Sequence, residues 1–379
     1  MSEALLDVYP RLPIHLERAQ GQCLYASDGR ELLDLYGGHA VTPLGHGHPA
    51  LTRALCEGHR ELDFFSNSLH MAVQRRAAEG LLEGSAHLRH AHFVNSGTEA
   101  NEAAIHLARR LSGRKKILSF DCSFHGRTQA SLAATGLPGY RRRLSVPEDE
   151  AFNGFISFGA QDDLAAIDES VAAVLCESVP SLAGVLMPPE GYYPALEARC
   201  REAGALLIFD EVQGGCGRLG HFFAHERFSV QPDMVTLAKG VAGGYPAGAL
   251  LVTAGIGAAV EHGELGTTFG GGPMACRMIE TTARLIREEG LLQRVGQIFA
   301  RIAAGVKPME GVKLRGAGCL IGLTSRLPAK MLQKRLLEAN ILVGTSADPR
   351  VLRLLPAYTL TDEEIDRFLD ALGSALAEA

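Results

Sequence analysis

Apolar residues fall along this chain in two rhythms. Short apolar runs at 92–95, 117–121, 172–177, 205–210, 234–237 and 249–252 have the length and bounding residues of buried strands. Between them, 99–112 and 196–203 repeat their apolar positions at helical spacing. Strands alternating with amphipathic helices from residue 51 to about 278 predict an α/β fold, a mainly parallel sheet with helices on both faces. Such a sheet binds its ligands beyond the carboxyl ends of its strands. The rhythm then changes. Helical spacing covers 276–289 and 291–306, strand-like runs follow at 318–323 and 351–355, and a last helix opens at Thr361-Asp362-Glu363-Glu364. The pattern divides the chain into 1–45, a segment packing with a small α+β domain, 46–275, a large domain, and 276–379, the small domain.

Composition narrows the classes without naming a chemistry. The 379 residues are 46% hydrophobic and 21% charged, as in ordinary globular enzymes, which excludes a disordered or fibrous chain. No run approaches the roughly 18 apolar residues of a membrane span, and residues 1–7 lack the parts of a signal peptide, so no membrane partner and a cytoplasmic location are expected. A net charge of -6 gives no footprint for nucleic acid, and the arginine cluster at 141–143 is too short to change that. The eight cysteines contain no C-x-x-C pair and read as free, mostly buried thiols.

Lys239 is the only lysine between Lys116 and Lys307, and it lies in an apolar, glycine-flanked run, Asp-Met-Val-Thr-Leu-Ala-Lys-Gly-Val-Ala-Gly-Gly, at 233–244. A lysine held in an apolar pocket loses its proton readily and becomes a nucleophile, suited to an imine with a carbonyl cofactor. The plainer reading is a lysine that snorkels from a strand end. Asp210 ends the run Ala-Leu-Leu-Ile-Phe-Asp, where a parallel sheet would present it to a ligand; the protonated ring nitrogen of pyridoxal phosphate would suit it, although it could equally cap the next segment. Asn95-Ser96-Gly97-Thr98-Glu99 leaves a strand and opens a helix, which makes either an anion site or an ordinary N-cap. Arg127 and Arg353 fall in apolar surroundings, where a guanidinium wants a planar anion, either a substrate carboxylate or an internal acid. Phe124 could lie against an aromatic cofactor or belong to the core.

Two tempting motifs fail on context. Gly215-Cys216-Gly217-Arg218-Leu219-Gly220 matches the dinucleotide fingerprint, yet Glu211 to Gly214 separate it from the preceding strand and His221-Phe222-Phe223 follow it. His46-Gly47-His48, and His221 with His225, have no third ligand nearby, so no metal site is expected.

Taken in order, the motifs resemble those of the class III aminotransferases, pyridoxal-phosphate enzymes of fold type I, most closely the acetylornithine and ornithine δ-aminotransferase branch. The resemblance rests on L-Y-G-G-H-A-V-T-P-L-G-H-G-H-P at 35–49, N-S-G-T-E-A-N-E-A at 95–103, F-H-G-R-T at 124–128, L-L-I-F-D-E-V-Q-G-G-C-G-R at 206–218, T-L-A-K-G at 236–240 and G-T-T-F-G-G-G-P at 266–273. It implies a seven-stranded, mainly parallel sheet and a ping-pong transfer of an ω-amino group from N-acetylornithine or a similar diamino acid to 2-oxoglutarate. It further implies that Lys239 binds the cofactor's aldehyde and later shuttles a proton, while Asp210 pairs with the ring nitrogen. Gln213 would approach the phenolic oxygen, Phe124 and Val212 would sandwich the ring, and Ser96, Gly97 and Thr98 would hold the phosphate. Thr268 would complete that phosphate site from a neighbouring subunit, so a homodimer with a shared site is implied. Arg127 would take the donor's α-carboxylate and Arg353 that of glutamate or 2-oxoglutarate.

The chain departs from the branch at Leu182, where the pattern E-P-I-Q-G-E-G-G carries its second glutamate, and at Gly272 and Gly214, which replace a usual Asn and Thr. The missing glutamate would leave Arg353 without its counter-charge. Three other readings remain open on the residues: the same fold and cofactor with a different amine or reaction (aminomutase, decarboxylase or racemase), a dinucleotide-dependent oxidoreductase, and a non-catalytic binding protein.

Overall fold

A computed structural model describes residues 4–142 and 152–377; Arg143 of the arginine cluster lies outside them. Three antiparallel strands open the chain, β1 (Leu16–Gln20), β2 (Cys23–Ala26) and β3 (Glu31–Asp34). A central sheet follows, made of β4 (Leu88–Val94), β5 (Lys116–Phe120), β6 (Asn153–Ile156), β7 (Val171–Glu177), β8 (Leu206–Asp210), β9 (Met234–Leu237) and β10 (Gly248–Thr253). Its order is β4-β10-β9-β8-β7-β5-β6; every neighbouring pair is parallel except the two made by β10. This is the seven-stranded, mainly parallel α/β sheet that the alternating pattern and the resemblance predict.

Every residue of β7, Val-Ala-Ala-Val-Leu-Cys-Glu, is buried, which a strand covered on both faces requires. Part of that cover is the helix Gly97–Ser112. Ser96 caps it, with Oγ accepting from the Glu99 N–H at 3.3 Å, and Gly113 ends it in the left-handed region at φ 67°. Its buried face carries Ala100, Ala103, Ala104, Ile105, Leu107 and Ala108, small enough for the helix to lie close on the sheet.

The C-terminal part adds β11 (Lys313–Ala317), β12 (Leu320–Thr324), β13 (Ile341–Leu342), β14 (Gly344–Thr345) and β15 (Val351–Leu354). The order β11-β12-β15-β14 makes an antiparallel sheet, against which helices Leu291–Val306 and Ala329–Glu338 pack. The two-residue β13 instead runs parallel to β3, pairing Ile341 with Leu33, and so ties the N-terminal strands to this region. Among the described residues no helix is long and apolar enough to cross a membrane.

Candidate active site

The carboxyl edge of the central sheet brings three titratable groups together. Glu177, the last residue of β7, pairs with Asp210, the last of β8, and Asp210 pairs with Thr236 of β9. Lys239 follows two residues after β9, at the start of the short 3-10 turn Lys239–Ala242, with φ 45°. Burial lowers its pKa; the negative fields of Asp210 and Glu177 oppose this, and Arg353 and Arg218 reinforce it. The Glu177 carboxyl is pushed the other way, up to about 7, by burial and by Asp210 beside it. It accepts from the Phe124 N–H at 2.8 Å.

Asp210, 4% exposed, is fixed from three sides. Oδ1 accepts from the Val212 N–H at 3.0 Å, and Oδ2 is 2.8 Å from both Asn101 Nδ2 and His125 Nδ1. Asn101 also donates to the His125 carbonyl and accepts from Thr236 Oγ1, so one helix residue ties β8, β9 and the Phe124 loop together. No lysine or arginine among the described residues reaches Asp210 within 4.0 Å. The helix start adjoins this carboxylate: a Cβ at Gly97 would fall 2.7 Å from both Val212 methyl groups. The Gly97 and Thr98 N–H groups, in the first turn, have no helical acceptor, while the Ser96 hydroxyl is engaged as the cap. Thr98 Oγ1 lies 2.6 Å from Thr128 Oγ1. Gln213 is drawn to the N-terminal segment, donating to the His39 carbonyl at 3.2 Å.

The two arginines part company. Arg353 is 3% exposed and meets no carboxylate within 4.0 Å among the described residues. Its Nε, Nη1 and Nη2 donate to Thr345 O, Ser181 Oγ and Tyr36 Oη, and burial lowers its pKa. Arg127, expected in apolar surroundings, is instead exposed, with its guanidinium 5.2 Å from the Tyr140 ring centroid. The same Tyr140 packs against Phe124 at 5.0 Å. Arginine tolerates this because its long stem and flat head rest on an aromatic face with the charge still hydrated. Thr268 is exposed too, in the loop before helix Pro273–Glu288; its neighbour Thr267 accepts from Asn95 Nδ2 at 3.1 Å.

Residues 36–40 also line this site, although the resemblance gives them no role. Gly37, Gly38, His39 and Ala40 all have positive φ, making a left-handed turn. Buried Asp34 accepts from the Tyr36 and Gly37 N–H groups, and a Cβ on Gly37 would lie 2.9 Å from the Leu355 carbonyl. Tyr36 thereby reaches Arg353, and the exposed His39 sits near the charges of Arg353, Lys239 and Arg127. The repeated glycines at 37 and 38 were the available signal. The Gly215–Gly220 run serves as a structural turn: Arg218, 1% exposed, donates to the carbonyls of Cys319, Pro356 and Ala40 and stacks 4.7 Å from the Tyr358 ring.

These residues fit pyridoxal phosphate. A buried carboxylate that no lysine or arginine among the described residues reaches suits a protonated ring nitrogen, a lysine of lowered pKa suits an aldehyde, and first-turn N–H groups without a helical acceptor suit a phosphate. Comparison with known proteins agrees. The family model for "Aminotransferase class-III" matches residues 7–376. The acetylornithine aminotransferase of Streptomyces coelicolor is 40% identical over 379 residues, covering 98% of this chain and 92% of its own. The N-acetylornithine aminotransferase structure from Stenotrophomonas maltophilia K279a superposes with a TM-score of 0.83 at 30% identity, over 98% and 97% of the two chains. The Toxoplasma gondii ornithine aminotransferase shares the fold, with a TM-score of 0.92 at 24% identity, over 99% and 92%. With register, side chains and relatives in agreement, the chain belongs to the class III aminotransferases, pyridoxal-phosphate enzymes of fold type I.

Proposed function

We propose that this enzyme moves the ω-amino group of N-acetylornithine, or a similarly acylated diamino acid, to 2-oxoglutarate in two successive half-reactions. The observation that carries the chemistry is the convergence of Lys239, Asp210 and Glu177 at the ends of adjacent strands. The donor is suggested by the acetylornithine aminotransferases that align along nearly the whole chain. Bound pyridoxal phosphate supplies an electron sink for the substrate's reacting carbon and stores the amino group between half-reactions.

The chain's own residues do the rest. Lys239, whose pKa burial lowers, would hold the cofactor through its aldehyde, and its Nζ would move the proton at the substrate's reacting carbon. Asp210, oriented by Asn101, His125 and the Val212 N–H, would meet the ring nitrogen and favour its protonated form. Ser96, Gly97 and Thr98 would hold the phosphate, Phe124 and Val212 would flank the ring, and Gln213 would approach its phenolic oxygen. Arg127, exposed, would take the donor's α-carboxylate, and buried Arg353 that of glutamate or 2-oxoglutarate. With Leu182 in place of the glutamate of the E-P-I-Q-G-E-G-G pattern, Arg353 meets no acidic partner among the described residues that it would have to shed first.

A homodimer completes the site, with Thr268 reaching the partner's phosphate group. Its support is the exposed aromatic pair Phe64 and Phe269, with ring centroids 5.4 Å apart, beside Thr268. The packing of residues 1–45 with the small domain is supported by the β13 to β3 pairing, and a cytoplasmic location goes with the free cysteines. Screening the donor half-reaction with N-acetylornithine, N-succinylornithine, ornithine, lysine and 4-aminobutyrate tests the proposal. An acylated ornithine should give the highest kcat/KM; a preference for 4-aminobutyrate, which has no α-carboxylate beside an α-amino group, would contradict the role of Arg127.

A further inference from the structure

The donors around Arg353 outnumber the acceptors it has. A guanidinium carries five N–H groups. Three are engaged, by Thr345 O at 2.8 Å, Ser181 Oγ at 3.2 Å and Tyr36 Oη at 2.9 Å. Among the described residues, one N–H is left on each terminal nitrogen. Both hydroxyls accept from Arg353, so each keeps its own O–H to give. Ser181 is fully buried, and no other hydrogen bond engages its Oγ among the described residues. Burial raises the Tyr36 pKa, which keeps the phenol protonated.

We propose that Tyr36 and Ser181 are specificity-determining residues: their hydroxyls and the two remaining Arg353 N–H groups form a four-donor seat for a carboxylate on the substrate's reacting carbon. This rests on the reading that Arg353 binds the acceptor's carboxylate. Hydroxyls serve the site differently from an acid. They accept from the guanidinium while the seat is empty and turn to donate when a carboxylate arrives, so no buried ion pair has to be broken first. The seat is held ready by two distant segments: the left-handed turn at 37–40 delivers Tyr36, and the loop after β7 delivers Ser181.

The test uses the cofactor-loaded full-length enzyme. Tyr36→Phe and Ser181→Ala each delete one oxygen, and kcat/KM is measured separately for 2-oxoglutarate and for N-acetylornithine, with the dissociation constant of glutarate as an unreactive dicarboxylate. For each variant the acceptor-to-donor ratio of kcat/KM should fall about tenfold, and glutarate should bind about tenfold more weakly, as expected for loss of a hydrogen bond to a charged group. Ser181→Thr, which restores a hydroxyl, should recover most of the ratio. Equal losses in both half-reactions, no loss in either, or a Ser181→Thr variant as impaired as Ser181→Ala would overturn the proposal. Arg353→Lys separates the two levels: if it leaves 2-oxoglutarate use intact, the underlying role of Arg353 fails as well, whereas if it abolishes that use and the hydroxyl variants change nothing, only the seat fails.

Discussion

Lys239 stands in backbone that L residues rarely adopt, at φ 45°, a conformation costing about 1–2 kcal/mol outside glycine. Such strain persists where surrounding contacts over-determine it, which is common at catalytic groups. The sequence isolated this lysine and Asp210 because each sits in an apolar run where a charge is out of place. It gave Glu177 no role, because its effect depends on register with Asp210 across two strands distant in sequence. That residue yields a pH prediction. Its pKa rises from 4.5 to about 7 on folding, so as pH climbs through this window the unfolded chain releases the proton first and the folded state loses stability. The loss amounts to about 3 kcal/mol. Denaturant unfolding of the cofactor-free chain should therefore show Glu177→Gln gaining on the wild type by about that amount across the window. A constant difference between the two would mean that Glu177 does not titrate there.

Among the elements, those with a strong period were legible, and those built by tertiary contact were not. Helix Gly97–Ser112 and strand β7 announce themselves through their apolar spacing. Strand β6, only Asn-Gly-Phe-Ile at the edge of the sheet, has neither length nor β propensity to mark it. The turn at 37–40 is hidden differently: its shape is imposed by Asp34 and the Leu355 carbonyl, and two of its four left-handed residues are not glycine. The start of helix Gly97–Ser112 allows a direct test. Gly97→Ala favours the helix by about 1 kcal/mol, but its Cβ would press on the Val212 methyls at 2.7 Å. The two effects oppose each other in stability and not in function: the cofactor-free melting temperature should move by only a few degrees. The dissociation constant for pyridoxal phosphate, by fluorescence titration, should rise about tenfold or more, since Val212 and the first-turn N–H groups are displaced together. Unchanged cofactor affinity would remove Gly97 and Val212 from the site.

At the scale of the whole molecule, the central sheet sets the carboxylates and the lysine, while the N- and C-terminal segments supply Tyr36 and Arg353 from opposite ends of the chain. The alternation of strands and helices made the sheet predictable; the joining of residue 36 to residue 353 has no local signature and is visible only in the fold. Phe64 and Phe269 remain 41% and 66% exposed, an aromatic surface that a second copy would cover. Phe269→Asp should convert a dimer to monomers in sedimentation and weaken cofactor binding along with it, through loss of the neighbouring Thr268. A monomeric wild type with full cofactor affinity would contradict the shared site. Which residue carries the cofactor decides the chemistry of the site, and borohydride reduction of the loaded enzyme followed by peptide mass spectrometry answers that directly. A stable pyridoxyl group on Lys239, absent from Lys239→Ala together with measurable transamination, is the predicted result; a label on any other lysine, or wild-type turnover by Lys239→Ala, would contradict it.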